Sequence, residues 1–468
     1  MVTAISELGR AISSQRVTLF SVLGVLTCVF LATYQGFLGI LAAMVIALVM
    51  AFVMPIPVTV LSMAWVFLVR PNTKLLNTAV AGFSISEVDL LLLLALVASC
   101  RIPRKLGAPE IRSRVGDWAP ILAWPTWLLA RAGLPQLGNV LFASPLVDLR
   151  ILTAFLAIIP LWVLASRRGG DALLKLICYS AYIACAIAVA AWSLLKLGLI
   201  SAGSYPLVNI ASGAAHDVRP GGEILIPVLA LLLIFNKAPI VLGNKLASFA
   251  LLIGEILVSQ TLSIVIATAA GISVALLLNW NNVSLIRRAL IVFLLVGSAF
   301  SALAGGGASG TGDADINSRF NLSQRLGQTS AQYRVSETAT LGGIYREEPL
   351  VLIIGTGPGS LISFNDGVVN EVKDLTHNVY NNLVLKSGIL GAILFFGGLL
   401  ACIARLIPRA DVLGRSLAGS FAAIAVLSTT VPFASTITGL TAVLGIATLA
   451  VWIAVHARSS PSEMSADE

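Results

Sequence analysis

Residues Leu173 to Leu197 read LLKLICYSAYIACAIAVAAWSLLKL, with Lys175 and Lys196 as the only charges. About 20 apolar residues suffice to cross the roughly 30 Å hydrocarbon core of a bilayer as a helix, at about 1.5 Å each. Such a segment must be helical, because lipid holds no water to satisfy free backbone N–H and C=O groups. Apolar runs of about 15 to 25 residues, comparable to this one, recur along nearly the whole chain. Composition agrees: 57% of the 468 residues are hydrophobic and only 11% are charged, whereas soluble domains carry about a quarter. The fold class predicted is an all-α polytopic membrane protein with about 12 to 14 transmembrane helices.

Working outward from Leu173, the predicted spans are Val17–Tyr34, Phe37–Met54, Ile56–Val69, Val88–Cys100, Trp118–Ala130 and Ile151–Ala165 before it. After it come Ile224–Phe235, Ile240–Val258, Leu262–Leu278, Ala289–Leu303, Val379–Ala404, Ser416–Val431 and Ile437–Val455. The formal net charge of +8 is concentrated in short loops between these spans: Arg101, Arg104, Lys105, Arg112 and Arg114; Arg167 and Arg168; Arg287 and Arg288; Arg405, Arg409 and Arg415. That is positive-inside patterning, and it argues against nucleic acid as a partner, since no aromatic residues interleave the basic ones. It places a short N-terminus (1–16) and the Ser- and Glu-rich tail (458–468), read as disordered, in the cytoplasm. The bundle 17–304 and the helices of 377–457 flank one long extracytoplasmic loop, 305–376. The five cysteines lie in or beside apolar runs without metal-site or disulfide spacing and are read as packing residues. No cleavable signal peptide is evident, and the first span is expected to stay.

The long loop begins with a flexible glycine-rich linker, Gly305 to Gly312. Ser323 to Arg346 is predicted to be a helix, because Leu326, Tyr333, Thr340, Leu341 and Ile344 share one face and no proline interrupts before Pro349. It would lie over the outer surface of the bundle, as a lid would. The loop ends on His377, one of only three histidines, at the mouth of the next span. Asn378 beside it is read as a helix cap that orients the histidine. The turn Gly355-Thr356-Gly357-Pro358-Gly359 lacks the Lys-Ser/Thr of a nucleotide P-loop and is read as structural, with contact to a diphosphate as the lesser alternative. A second polar spot outside holds His216, Asp217 and Arg219. Glu87, Asp89 and Glu255, near span ends, have no partner identifiable from the sequence.

Several of these pieces occur in a recognisable order. Tyr333-Arg334, then Arg346-Glu347-Glu348-Pro349-Leu350, then Gly355-Thr356-Gly357-Pro358-Gly359, then Thr376-His377-Asn378-Val379-Tyr380, and last Gly388-Ile389-Leu390-Gly391, together resemble the O-antigen ligase and O-antigen polymerase superfamily. The likeness runs from about Val218 to Phe396. It implies an inverting glycosyltransferase of the GT-C type in the bacterial cytoplasmic membrane, working on the outer face without a metal or other cofactor. The donor implied is a glycan on undecaprenyl diphosphate, and the acceptor a glycan, lipid or protein hydroxyl. His377 matches the family's loop histidine, Arg334 the arginine of the loop helix, and Arg219, within Val218-Arg219-Pro220-Gly221-Gly222, the arginine of the preceding outer loop. At Leu262 the chain lacks an arginine that many relatives carry; either another arginine, such as Arg319 or Arg325, substitutes in space, or the donor is held differently.

The chemistry stands beside the resemblance. Departure of a diphosphate develops charge that guanidinium groups stabilise bidentately. A hydroxyl nucleophile needs a base near neutrality, which His377 would supply. Two other classes remain open at this point: a flippase of lipid-linked glycans, which should carry midplane charges and internal symmetry, and a non-catalytic membrane scaffold.

Overall fold

The computed structural model describes residues 36–70, 78–80, 83–103, 114–138, 140–142, 144–205, 207–210, 218–240, 244–259, 262–279, 329–365, 370–373, 378–407, 412–429 and 436–459. The chain is mostly helical. The predicted spans Val17–Tyr34 and Ala289–Leu303 lie outside the described residues.

The first described helices are α1 (Gly36–Val53), α2 (Pro55–Leu68) and α3 (Glu87–Ser99), with the hairpin β1 (Thr78–Val80) and β2 (Phe83–Ile85) between the last two. Pro55 at the first turn of α2 is tolerated there, where its missing N–H has no helical acceptor. The start of α3 is fixed by a capping box: the Ser86 N–H donates to Asp89 Oδ2 at 2.9 Å. Next come α4 (Val115–Ala132), β3 (Leu141–Phe142), α5 (Pro145–Leu149) and a 3-10 stretch, Arg150–Ala157, that runs into α6 (Ile158–Arg168). Gly169, at φ 97°, breaks α6 from the long α7 (Gly170–Lys196). The sheet β4 (Gly203–Ser204), β5 (Val208–Ile210) and β6 (Val218–Pro220) leads to α8 (Leu225–Ile234), α9 (Lys245–Ser259) and α10 (Leu262–Leu278). After them stand α11 (Thr329–Glu347), α12 (Pro349–Ile354), β7 (Ser360–Asn365) and β8 (Asn370–Lys373). The chain closes with α13 (Val379–Leu406), α14 (Val412–Leu427) and α15 (Ile437–Ser459).

Among the described residues, four helical stretches are long and apolar enough to cross a membrane: Arg150–Arg168, Gly170–Lys196, Val379–Leu406 and Ile437–Ala457. Shorter apolar helices, α2, α8, most of α10 and α14, pack among them. The opening stretch is thus one continuous helix of 27 residues. Close packing rests on small residues. A Cβ on Gly271 of α10 would come within 2.8 Å of the Gly419 carbonyl of α14, and one on Gly419 within 2.5 Å of the Gly271 carbonyl.

Side-chain contacts orient the bundle. Arg167, at the end of α6, donates to the Ile102 carbonyl at 2.6 Å, just past the end of α3. Arg405, at the end of α13, donates to the carbonyls of Asp117 (2.5 Å) and Gly116 (3.0 Å) at the start of α4. Arg415 of α14 donates to Asn279 Oδ1 (2.9 Å) at the end of α10. The basic loops therefore gather at one end of the bundle. Helix direction then sends the start of α3, the end of α4, the beginning of α13 and the 3-10 stretch to the opposite end. The small sheets are the departure from the all-α expectation. The strands β4, β5 and β6 form one antiparallel sheet, and β7 pairs with both β3 and β8.

Candidate functional site

At the end of the bundle away from the basic loops, the chain returns from α12 into β7 through the glycine turn, and every residue from Gly355 to Ser360 is buried. Gly355, Gly357 and Gly359 have φ of 80°, 111° and 88°, the left-handed region open to glycine. The turn is held from beneath by Arg131, at the end of α4 and fully buried. Its guanidinium donates to the carbonyls of Ile354 (3.1 Å), Gly355 (2.9 Å), Thr356 (2.8 Å) and Pro135 (2.8 Å). A charge sealed among carbonyl dipoles is tolerated because its hydrogen-bonding capacity is filled.

Three of the turn's own N–H groups are likewise committed. Gly355 donates to the Val351 carbonyl, Thr356 to the Leu385 carbonyl at 2.7 Å, and Gly359 to Asp148 Oδ2 at 2.5 Å. Pro358 has none. The turn therefore works as a structural joint, and these three amides are not offered to a ligand. Asp148, on α5, also accepts from Lys386 of α13 in a short, nearly buried ion pair. One carboxylate thus ties the turn to the helix that follows the long loop.

Both glycine motifs of the family resemblance meet here. Gly388 interrupts α13 at φ 71°, ψ 178°. A Cβ on it would lie 2.1 Å from the Ile353 carbonyl, and a Cβ on Gly355 would lie 2.6 Å from the Gly388 nitrogen. The two backbones touch, so neither position has room for a side chain. Trp127 of α4 donates to the Ser387 carbonyl at 2.8 Å and completes the joint.

Asn378 is the N-cap of α13: its backbone is extended (φ −134°, ψ 154°), and its Oδ1 accepts from the Asn381 N–H at 2.6 Å. Asn381 in turn donates to Thr338 Oγ1 of α11 at 3.2 Å, which brings the loop helix against the beginning of α13. Arg334 sits on α11, four residues before Thr338. His377, Arg319 and Arg325 lie outside the described residues, as does His216. Leu262 begins α10.

Arg219 lies at the same end, exposed on β6 opposite Asn209. The Gly221-Gly222 pair beside it packs on the end of α2, since a Cβ on Gly221 would fall 1.6 Å from the Leu68 carbonyl. Gly222 adopts φ 78°. This contact sets Arg70 beside the strand, and Arg70 Nη1 donates to the Arg219 carbonyl at 2.9 Å. Glu223 follows the glycines, within electrostatic reach of both arginines; burial pushes its carboxyl up, against the pull of Arg219 and Arg70. Burial lowers Arg70, as does Arg219, while Glu223 raises it.

Arg70, Glu223, Arg131, Asp148 and Lys386 were not singled out by sequence reasoning. Arg131 reads as an interfacial anchor, because a lone arginine ending an apolar run looks the same whether it snorkels or is buried. The Gly-Gly following Arg219 was the available signal for Arg70: such a pair marks a close backbone approach, though not the element approached. Of the acids near span ends, Asp89 pairs with Arg150 at 2.5 Å, while Glu255 is fully buried in α9. Among the described residues no three His, Cys, Asp or Glu side chains cluster as metal ligands. Compared with known proteins, the chain matches no family model and no curated protein.

Proposed function

We propose that this chain is a GT-C type glycosyltransferase of the O-antigen ligase or polymerase kind, moving a glycan from undecaprenyl diphosphate to an acceptor hydroxyl. The membrane concerned is the bacterial cytoplasmic membrane, and the working end faces outward. The observation that carries the reading is convergence. Arg219 with Arg70, the loop helix α11 that bears Arg334, the glycine joint and the capped beginning of α13 all stand at the end opposite the basic loops. An amphipathic donor presents its diphosphate at such a surface while its tail stays in lipid.

In the mechanism proposed, arginines hold the diphosphate and stabilise the charge that builds on it as the glycosidic bond to phosphate breaks. His377 removes the proton from the acceptor hydroxyl as that oxygen bonds to the anomeric carbon from the opposite face, which inverts the centre. Asn378, as the cap, fixes the direction in which α13 starts and so the position of the residue before it. The glycine joint and Arg131 set where α11 and α12 lie relative to that start.

The test uses the full chain, purified into nanodiscs and supplied with an undecaprenyl-diphosphate glycan and an acceptor glycolipid. Replacing His377 with Ala is expected to lower turnover by about 10² to 10⁴ while donor binding persists. Unchanged turnover would sink the assignment. Transport of the donor across vesicles without transfer would point to a flippase.

A further inference from the structure

Glu223 and Glu255 are not used by the mechanism above, although one is within electrostatic reach of two arginines and the other within reach of that carboxyl. Glu223 leaves the Gly221-Gly222 turn, whose packing against the Leu68 carbonyl allows little movement. Its Oε1 is sealed from solvent with no hydrogen-bond partner among the described residues. The ionisable groups bearing on it are Arg70 from the end of α2, Arg219 from β6 and Glu255 from α9, with Cys185 of α7 behind Glu255. Both Glu255 oxygens are buried and lack a hydrogen bond of ordinary geometry, with Ser259 one turn further on as the near hydroxyl. Two cations and two acids thus occupy one corner. A carboxylate at Glu223 has favourable partners in the arginines.

We propose that Glu223 is an internal competitor for the Arg70–Arg219 pair: a phosphate- or diphosphate-bearing ligand takes the arginines from it, and the carboxylate binds a proton as the ligand arrives. This rests on the proposed role of Arg219 and adds to it Arg70, a ligand class shared by lipid phosphates and polyprenyl diphosphates, and a proton.

The sign follows from charge. Ligand phosphate removes the attraction that favours the Glu223 carboxylate and adds a like charge beside it, so both changes favour its protonated form. A ligand that raises a group's proton affinity binds more tightly at the pH where that group is protonated, because linkage is reciprocal. Affinity therefore rises as pH falls through the range in which Glu223 titrates, and it levels off below that range.

Inorganic pyrophosphate is the probe, titrated calorimetrically against the full chain in phosphatidylcholine nanodiscs, in two buffers of different ionisation heat at each pH. The wild type is expected to bind, and to take up more protons on binding than Glu223→Gln does. The difference isolates the carboxyl, because the probe's own protonation is common to both proteins. Glu223→Gln should bind about tenfold more tightly than the wild type at high pH, a gain corresponding to one unit of coupling, and the gap should narrow as pH falls. Arg70→Gln should weaken binding throughout.

Absence of pyrophosphate binding by the wild type, or equal proton uptake by wild type and Glu223→Gln, overturns the proposal. Since wild-type uptake can be compared with the probe's own titration, misfolding of a variant does not shield it. Competition by phosphatidylglycerol nanodiscs supports the site and names a headgroup phosphate as its ligand; competition by polyprenyl diphosphate alone supports it and names the donor. Loss of glycan transfer with proton-linked binding intact removes the enzymatic reading and leaves this one, and the converse result removes this one alone.

Discussion

Arg131 shows how much a single side chain organises here. Its guanidinium bonds to carbonyls of two segments, those of Ile354, Gly355 and Thr356 in the long loop's return and that of Pro135 just past its own helix. Replacing it with Ala would leave buried carbonyls without donors. The expected cost is about 2 to 5 kcal/mol, read as a clear drop in melting temperature in detergent. Arg131→Lys should recover part of the loss, because one ammonium reaches fewer of the acceptors; an unchanged melting temperature for Arg131→Ala would contradict the clamp. Nothing in the local sequence announces this role. Three of the four acceptors lie more than two hundred residues away, and a carbonyl is the same group whatever residue carries it. By contrast, the capping function of Asn378 was readable, because capping is local: side-chain acceptor, residue spacing and the helix that follows all fall within four positions.

At the scale of elements, periodicity found helices well and contacts between backbones poorly. The helix expected over Ser323–Arg346 is described as Thr329–Glu347, and Leu262–Leu278 coincides with its expectation. The hairpin β7–β8 was passed over, although Asp366-Gly367 stands between two short strand-like runs and is a hairpin signal. In a chain read everywhere as helix, a short strand has little apolar alternation to offer. The glycines of Gly355–Gly359 and Gly388–Gly391 were recognisable as motifs, but the physical reason for Gly355 and Gly388 is mutual contact. That yields a prediction. Gly388→Ala must place a methyl group at φ 71° and 2.1 Å from the Ile353 carbonyl. Strain alone costs about 1 to 3 kcal/mol, and the clash adds to it. Gly397→Ala, with nothing within 4 Å of its added Cβ, is the matched control on the same helix. Thermal unfolding of the pair should show a large loss for Gly388→Ala and little change for Gly397→Ala; similar melting temperatures would mean that the break in α13 is not held as described.

For the whole molecule, two arguments bear on which end faces out, and they are independent. Charge counting along the sequence assigns the loops around Arg101, Arg167, Arg405 and Arg415 to the cytoplasm. Contacts between helix ends place Arg167 against Ile102, Arg405 against Gly116 and Arg415 against Asn279, so these loops share one end whatever membrane they face. A random distribution of basic residues among loops would have divided them between the two ends. If the charge rule assigns the side and the contacts assign the grouping, the orientation can be tested at two positions. Cys100 is exposed at the basic end and is a native reporter, while Ser309→Cys places a thiol in the long loop. In a Cys28→Ser background, a membrane-impermeant maleimide applied to intact spheroplasts should label Ser309→Cys and spare Cys100. Permeabilisation should then expose Cys100. Labelling of Cys100 in intact cells would invert the protein, place Arg219 and the beginning of α13 in the cytoplasm, and remove the outer-face donor on which the transferase mechanism depends.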